Sequence, residues 1–385
     1  MIIEKLSSDV DTTSLLHKIG VDSGGVKIIM SKMKLHYFYI KDLHVGAANI
    51  LKQDALSIGA DLAVPKGVIT AEKPRVDCLL IGTTKHIQIL SKKELAQPFG
   101  LKILAKELSN FTRLKRENVK IMGIINANSD SFYKNSRFSG NDAVREIKLM
   151  IEDGADIIDV GGVSSRPGSK SVSEEEELFR VKDIIDIIAS EKLYHDTSFS
   201  IDSYSAKVIE YALQNGFKIA NDITGLADDR VCNIVAEYQA QAIIMHMQGT
   251  PQTMQINPQY NSVIDDVSLF FEQRIEKAQK FGIKDITLDV GIGFGKSVED
   301  NLKLISHLEH FRRFNLPLLV GASRKTLIEK IDGSDFSCSS ENRLSGTLAL
   351  HQKAIQNGAS IIRVHDVKEH VQMLKVIKAI EAMDI

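Results

Sequence analysis

The sequence predicts a (β/α)8 barrel preceded by a small α/β domain, and three observations lead there. From residue 120 onward, eight short aliphatic runs each close on polar residues and are each followed by a helical pattern. The runs lack polar alternation, as expected of strands buried on both faces in a parallel sheet. Eight such units over about 265 residues match the roughly 250 of a TIM barrel, and no dinucleotide fingerprint supports an open doubly wound sheet.

In order, the strands read "KIMGIINA", "ADIIDVGG", "FSIDS", "KIAND", "QAIIMHM", "DITLDVG", "LPLLVGAS" and "SIIRVHD". The intervening helices show apolar residues at helical spacing and glycine stops. "NDAVREIKLMIEDG" ends at Gly154, "SAKVIEYALQNG" at Gly216 and "RLSGTLALHQKAIQNG" at Gly358. Polar residues gather at the C-terminal strand ends: Asn126, Asp159, Asp202, Asn221 with Asp222, His246, Asp289, Ser323, and Arg363 with His365. In a barrel those ends share one face, where active sites form. Any one of them is readily a turn or cap residue; recurrence at all eight points to a site.

Residues 1–112 break this rhythm and read as a small accessory α/β domain, leaving 113–385 as the catalytic domain. "KLHYFYI" and "VDCLLIG" read as strands, "AANILKQDALSIGAD" and "KKELAQPFGLKILAKEL" as helices, "AVPKGVITAEKPR" as a loop and "LKRENVK" as the junction. No chemical constellation stands out in this part, so a structural or oligomer-stabilising role is expected of it.

Composition narrows the function. With 43% hydrophobic and 25% charged residues the chain is ordinary globular material. A formal charge of -2 without a basic block gives no electrostatic case for nucleic acid or an anionic membrane, so small molecules are the expected partners. Cys78, Cys232 and Cys338 form no metal-binding spacing and read as free thiols in a reducing compartment. There is no signal-peptide pattern and no apolar run near the roughly 20 residues that span a bilayer. A cytoplasmic protein is expected.

Three groups of residues carry chemistry. "DVGIGFGKS" fails both the P-loop and GxGxxG patterns, leaving a glycine-rich loop that brings backbone close to a ligand beside Asp289, with Phe294 as a wall. "VGASRKTLIEK" and "RVHD" place Ser323, Arg324, Lys325 and Thr326 near Arg363 and His365, a competent anion site where barrels commonly bind phosphate. Asp202, Asn221 and Asp289 suit a ligand donating two parallel hydrogen bonds, such as an amino-pyrimidinone edge; a metal pair at Asp202 and Asp289 is the alternative. No HExxH or GxSxG supports zinc hydrolysis or serine acyl transfer.

From about 120 to 380 the chain resembles dihydropteroate synthase, a folate-pathway barrel. The resemblance runs through "MGIINANSDSF", "DIIDVGGVSSRPGS", "SIDSYSAKVIE", "ANDITG", "MHMQGTPQTMQ", "LDVGIGFGKSVEDNL", "LLVGASRKTLI", "RLSGTLA" and "IIRVHDVKE", in order. It implies condensation of 6-hydroxymethyl-7,8-dihydropterin diphosphate with p-aminobenzoate through a pterin cation formed by diphosphate loss. It further implies that Asp202, Asn221, Asp289 and Lys325 hold the pterin, with Phe294 and Met245 lining its slot. Asn126 would ligate Mg²⁺ carrying the diphosphate, and Arg363 and His365 would complete the anion site. Ser165, Arg166 and Pro167, with Ser323 and Thr326, would form the p-aminobenzoate pocket beneath closing loops. Asn126, Asp202, Lys325, Arg363 and His365 are the implied catalytic set. A cytoplasmic homodimer and sulfonamide sensitivity are implied as well.

The chain departs from the family pattern at Asn128-Ser129, where Thr-Pro is usual, and at Val163, Ser165, Val290 and Thr326. Losing the loop proline loosens one wall of the p-aminobenzoate pocket. Competing readings are a pterin-dependent methyltransferase barrel, which would not need the cationic anion site, a non-catalytic pterin-binding paralogue, and, more distantly, a Schiff-base aldolase using Lys325.

Overall fold

A computed structural model describes residues 1–6, 12–112, 118–127, 140–164, 172–333 and 340–382. The chain divides into two compact units, one of residues 1–115 with 313–315 and 376–385, the other of 116–312 with 316–375.

In the first unit, β1 (Leu35–His44), β2 (Asp61–Ala63) and β3 (Arg75–Thr83) form a sheet ordered β1-β3-β2, with both neighbours antiparallel to β3. Strand β3 alternates: Val76, Cys78 and Leu80 are buried between more exposed neighbours. Helices Val45–Ser57, Thr84–Lys93 and Leu101–Thr112 bury their apolar faces in the same core. The single helix expected over "KKELAQPFGLKILAKEL" is in fact broken. The first helix stops at Lys93, a short 3-10 turn covers Glu94–Ala96, and a new helix begins at Leu101. Pro98 offers no N–H, and Phe99 and Gly100 both adopt left-handed backbone, with φ of 58° and 86°. The "LKRENVK" junction lies largely outside the described residues.

The second unit is the expected barrel. Strands β4 (Lys120–Asn126), β5 (Ile157–Gly161), β6 (Ser198–Asp202), β7 (Ile219–Asp222), β8 (Gln241–Met245), β9 (Ile286–Asp289), β10 (Leu318–Val320) and β11 (Ile361–Val364) close in parallel in sequence order. Met122, Ile157, Ile219, Ile243, Leu319 and Ile361 form one buried cluster from six different strands, packing the interior. Above that apolar layer the register decides which polar residues meet. Asn126 pairs with Gly161, Gly161 with Asp202, and Asp202 with Asn221, so four strand ends finish on one level.

Candidate active site

At the C-terminal mouth of the barrel a single cation spans two acids. Arg363 on β11 donates through Nε to Asp159 Oδ2 at 2.6 Å and through Nη2 to Asp202 Oδ2 at 2.6 Å. Asn221 Nδ2 donates to the same Asp159 oxygen at 3.0 Å. Asp159 Oδ1 is buried without a hydrogen-bond partner among the described residues. Such an orphaned acceptor costs free energy unless a ligand or water supplies a donor. Burial pushes the Asp202 carboxyl up to about 7, against the pull of Arg363. Asp289, at the end of β9, is also raised by burial, and its Oδ1 accepts the Gly291 N–H at 2.8 Å.

The glycine-rich loop after β9 is shaped by a close backbone approach. Gly291 has φ +67°, and a Cβ there would stand 1.9 Å from the His246 carbonyl oxygen. Only glycine fits. Lys296 locks the loop: its buried Nζ donates to the carbonyls of His246, Gly291 and Phe294 at 3.1, 2.9 and 2.9 Å. Phe294 then packs with Met245, Met254 and Ile223, and Lys325 Nζ sits 4.1 Å from its ring centroid. A flat apolar wall beside Asp289 with a cation over the ring is a fitting slot for a planar heterocycle.

The loops after β10 and β11 are tied together. Ser323 Oγ and His365 Nδ1 are 2.9 Å apart, and the His365 N–H donates to Ser323 Oγ at 3.2 Å. Arg324 differs from the sequence expectation of an anion-binding cation. Its guanidinium is buried and donates from Nε and Nη2 to both carboxylate oxygens of Asp366, at 2.9 and 2.6 Å. Arg363 likewise faces carboxylates, those of Asp159 and Asp202. Thr326 opens the helix Thr326–Asp332 and is exposed, with Lys325 at the N-cap. Asn126 closes β4, half-buried. Ser165, Arg166 and Pro167 lie outside the described residues.

Three further residues join the site that the motif reading left without a role. Asp159 was visible as the one charged residue inside "IIDVGG". Lys296 is the lysine of "DVGIGFGKS", and nothing in its sequence neighbourhood announces three carbonyl acceptors. Glu177, in the first turn of the helix Glu174–Glu191, is buried and pushed up to about 7, chiefly by desolvation. Asp222 is a turn residue instead, accepting from Thr224 N, Thr224 Oγ1 and Leu226 N.

Residues 122–365 match the family described as pterin binding enzyme. The dihydropteroate synthase of Escherichia coli K12 is 41% identical over 271 residues, 70% of this chain and 94% of that one. The chain belongs to the dihydropteroate synthase family. It is accordingly a transferase of that type, and neither the methyltransferase nor the non-catalytic reading is favoured. The solved synthase of Yersinia pestis, in a sulfonamide drug complex, superposes with TM-score 0.64 at 35% identity over 69% of this chain and 95% of its own. A Helicobacter pylori relative named bifunctional dihydropteroate synthase/dihydropteroate reductase is 41% identical over 385 residues, 100% of both chains.

Proposed function

We propose that this synthase joins 6-hydroxymethyl-7,8-dihydropterin diphosphate to p-aminobenzoate at the barrel mouth, with Asp202, Asn221, Asp289 and Lys325 holding the pterin between Met245 and Phe294. The observation that carries the assignment is the row Asn221, Asp159, Arg363 and Asp202, buried acids sharing one cation beside a flat apolar wall. A pterin edge offers N–H donors that can replace the guanidinium on these acids. Displaced from them, Arg363 is available to the departing diphosphate together with Lys325 and His365. Breaking the C–O bond leaves a pterin-stabilised cation, so neutralising the leaving group matters more than activating the nucleophile. The arylamine is unprotonated at neutral pH and needs no strong base; Ser323 and Thr326, with the loop residues Ser165, Arg166 and Pro167, orient it.

Among the described residues no three His, Cys, Asp or Glu gather into a metal cage. That suits Mg²⁺, which commonly takes one or two protein ligands and otherwise phosphate oxygens and water. Asn126, with an amide oxygen at a strand end, would hold it, and the ion would supply charge neutralisation on the diphosphate. We further place the reaction in residues 113–385, with 1–112 accessory, in a cytoplasmic homodimer formed through barrel helices near the C-terminus and binding neither nucleic acid nor membrane. Among the described residues no helix is long and apolar enough to cross a membrane.

A second reading rests on coverage. The Escherichia coli synthase matches 70% of this chain, whereas the bifunctional relative matches all of it, including residues 1–112. We therefore propose that the full chain also reduces its pterin product. Mass spectrometry of full-length protein with both substrates and Mg²⁺ tests the first reading: 7,8-dihydropteroate appears, and EDTA abolishes it. Adding a reduced nicotinamide or flavin donor tests the second, since a product heavier by two hydrogens is then expected; dihydropteroate persisting unchanged with either donor overturns it.

A further inference from the structure

Behind the two loops that carry Lys325 and Arg363 lies a buried pair of histidines with no part in the proposed chemistry. Both are completely buried. His351 sits on the helix Leu344–Gln356 and His370 on the helix Val367–Glu381. The Ala322 N–H meets His351 Nε2 at 3.0 Å, His351 Nδ1 meets His370 Nε2 at 2.8 Å, and His370 Nδ1 meets the Asp366 carbonyl at 2.6 Å.

The two ends of this chain fix every proton in it. A backbone N–H can only donate, so His351 Nε2 must present its lone pair, and the ring's one proton lies on Nδ1. That proton goes to His370 Nε2. The second ring then carries its proton on Nδ1 and gives it to Asp366, a carbonyl that can only accept. Both imidazoles are neutral, both are Nδ1–H tautomers, and every ring nitrogen is satisfied. An additional proton has nowhere to go: on His351 it would face the Ala322 N–H, and on His370 it would face the His351 Nδ1–H.

The ends of the chain are the places that matter for the site. Ala322 begins the turn through Ser323 and Arg324 to Lys325, and Asp366 follows Arg363 and His365. Arg324 adopts left-handed backbone, φ 54°, which a residue with a side chain holds only under outside restraint. That restraint comes from the same helix. Thr347, one turn before His351, accepts the Arg324 N–H at 2.9 Å through its Oγ1. On the mouth side, the Ser323–His365 and Arg324–Asp366 bonds close the other face of the turn.

We infer that His351 and His370 act as a neutral hydrogen-bond relay that positions the Ser323–Lys325 turn against the Arg363–Asp366 turn, setting the reach of Lys325, Arg363 and His365 toward pterin and diphosphate. They are positioning residues, and the inference rests on the site reading above. The groups facing the pair are His365 beside His351, and Asp366, Glu369 and Arg324 beside His370. Burial depresses both imidazoles below their ordinary range, in keeping with a relay that stays neutral near pH 7 and fails on acidification.

Glutamine separates the relay from the titration. Its amide accepts at one atom and donates at the other, so the double variant His351→Gln/His370→Gln can pass the same bonds from Ala322 to Asp366 with nothing to protonate. Steady-state kinetics of the full chain between pH 5.5 and 8.5 should show three patterns. At pH 8 the double variant should keep kcat/KM for the pterin diphosphate within about threefold of wild type, while His351→Leu, which orphans the Ala322 N–H, should lose about tenfold or more. At the acid end of the range, beyond any limb from Asp202 that both proteins share, the wild type should decline more steeply than the double variant. Equal activity of His351→Leu and wild type, or an acid limb unchanged in the double variant, overturns the inference. Should the leucine variant not fold, the two-glutamine comparison decides alone. Selective 15N-histidine NMR reads the relay without turnover: an Nε2–H tautomer or an imidazolium at either position at pH 7.5 overturns it. A chain that makes no dihydropteroate would instead overturn the site reading, leaving the ring tautomers to judge the relay.

Discussion

The barrel mouth and the three-stranded sheet of the first unit use polar residues in opposite ways. In the sheet, β1 and β3 expose one face, and its polar contacts, such as Tyr39 with Asp77, stand in solvent. At the mouth, Asp159, Asn221, Asp289, Lys296 and Arg324 are all buried. Charges in solvent contribute little to stability or specificity because water competes for them, whereas buried ones are costly unless matched. The mouth retains a mismatch of its own, with two acids on one guanidinium and an Asp159 oxygen that no group among the described residues meets. A scaffold has no reason to keep such an arrangement, and a ligand site does.

The sharpest way to break this contrast is to remove the charges assigned to the pterin. Lys325→Ala and Asp289→Asn should each lower kcat/KM by about a hundredfold or more, roughly 2.7 kcal/mol of transition-state stabilisation. Near wild-type steady-state rates in either variant would remove the pocket as drawn.

Next comes the loop clamp. Lys296→Met leaves three carbonyls without their donor, and a loss of about 2 kcal/mol is expected in denaturant unfolding, with a raised KM for the pterin diphosphate. Unchanged stability and KM together would show that the loop holds its shape without the lysine.

Glu177 tests the same contrast through pH. Its carboxyl is raised to about 7 in the native state, against about 4.3 when unfolded. Between those values the unfolded chain releases its proton first, so wild-type stability falls as pH rises through the window. Glu177→Gln removes that loss and should gain on wild type by about 2 kcal/mol at pH 8 and by little at pH 4.5. A gain equal at both pH values would point to packing instead of ionisation. The smallest effect belongs to the sheet: Tyr39→Phe should change neither melting temperature nor turnover.

How much of this was legible in advance follows from where each cause lies. The eight strands could be read because burial on both faces leaves unbroken aliphatic runs, and the helix ends because Gly154, Gly216 and Gly358 take φ values of 101°, 95° and 103°. Asp202, Asn221 and Asp289 could be placed on one face because the barrel register follows from strand order. What stayed hidden depends on partners remote in sequence. Arg324 resembles an anion ligand until Asp366, 42 positions away, is seen to occupy it. The Lys296 ammonium has its three acceptors in backbone, which no motif records. The break at Pro98 was within reach, since proline cannot continue the hydrogen-bond ladder, but the flanking helical spacing masked it.

Arg363 also bears on inhibition. In the proposed pocket, Arg363 bonds to the acids assigned to the pterin edge, a guanidinium tethered by its side chain and so present at high effective concentration. Any molecule built to imitate the pterin edge competes with that internal cation before it competes with substrate. Its measured affinity is therefore a difference between two sets of bonds. A compound that both donates to Asp202 and offers an anionic group to the displaced arginine should gain more from the two features together than from their separate contributions. One that reaches only the p-aminobenzoate side would leave the internal lock closed.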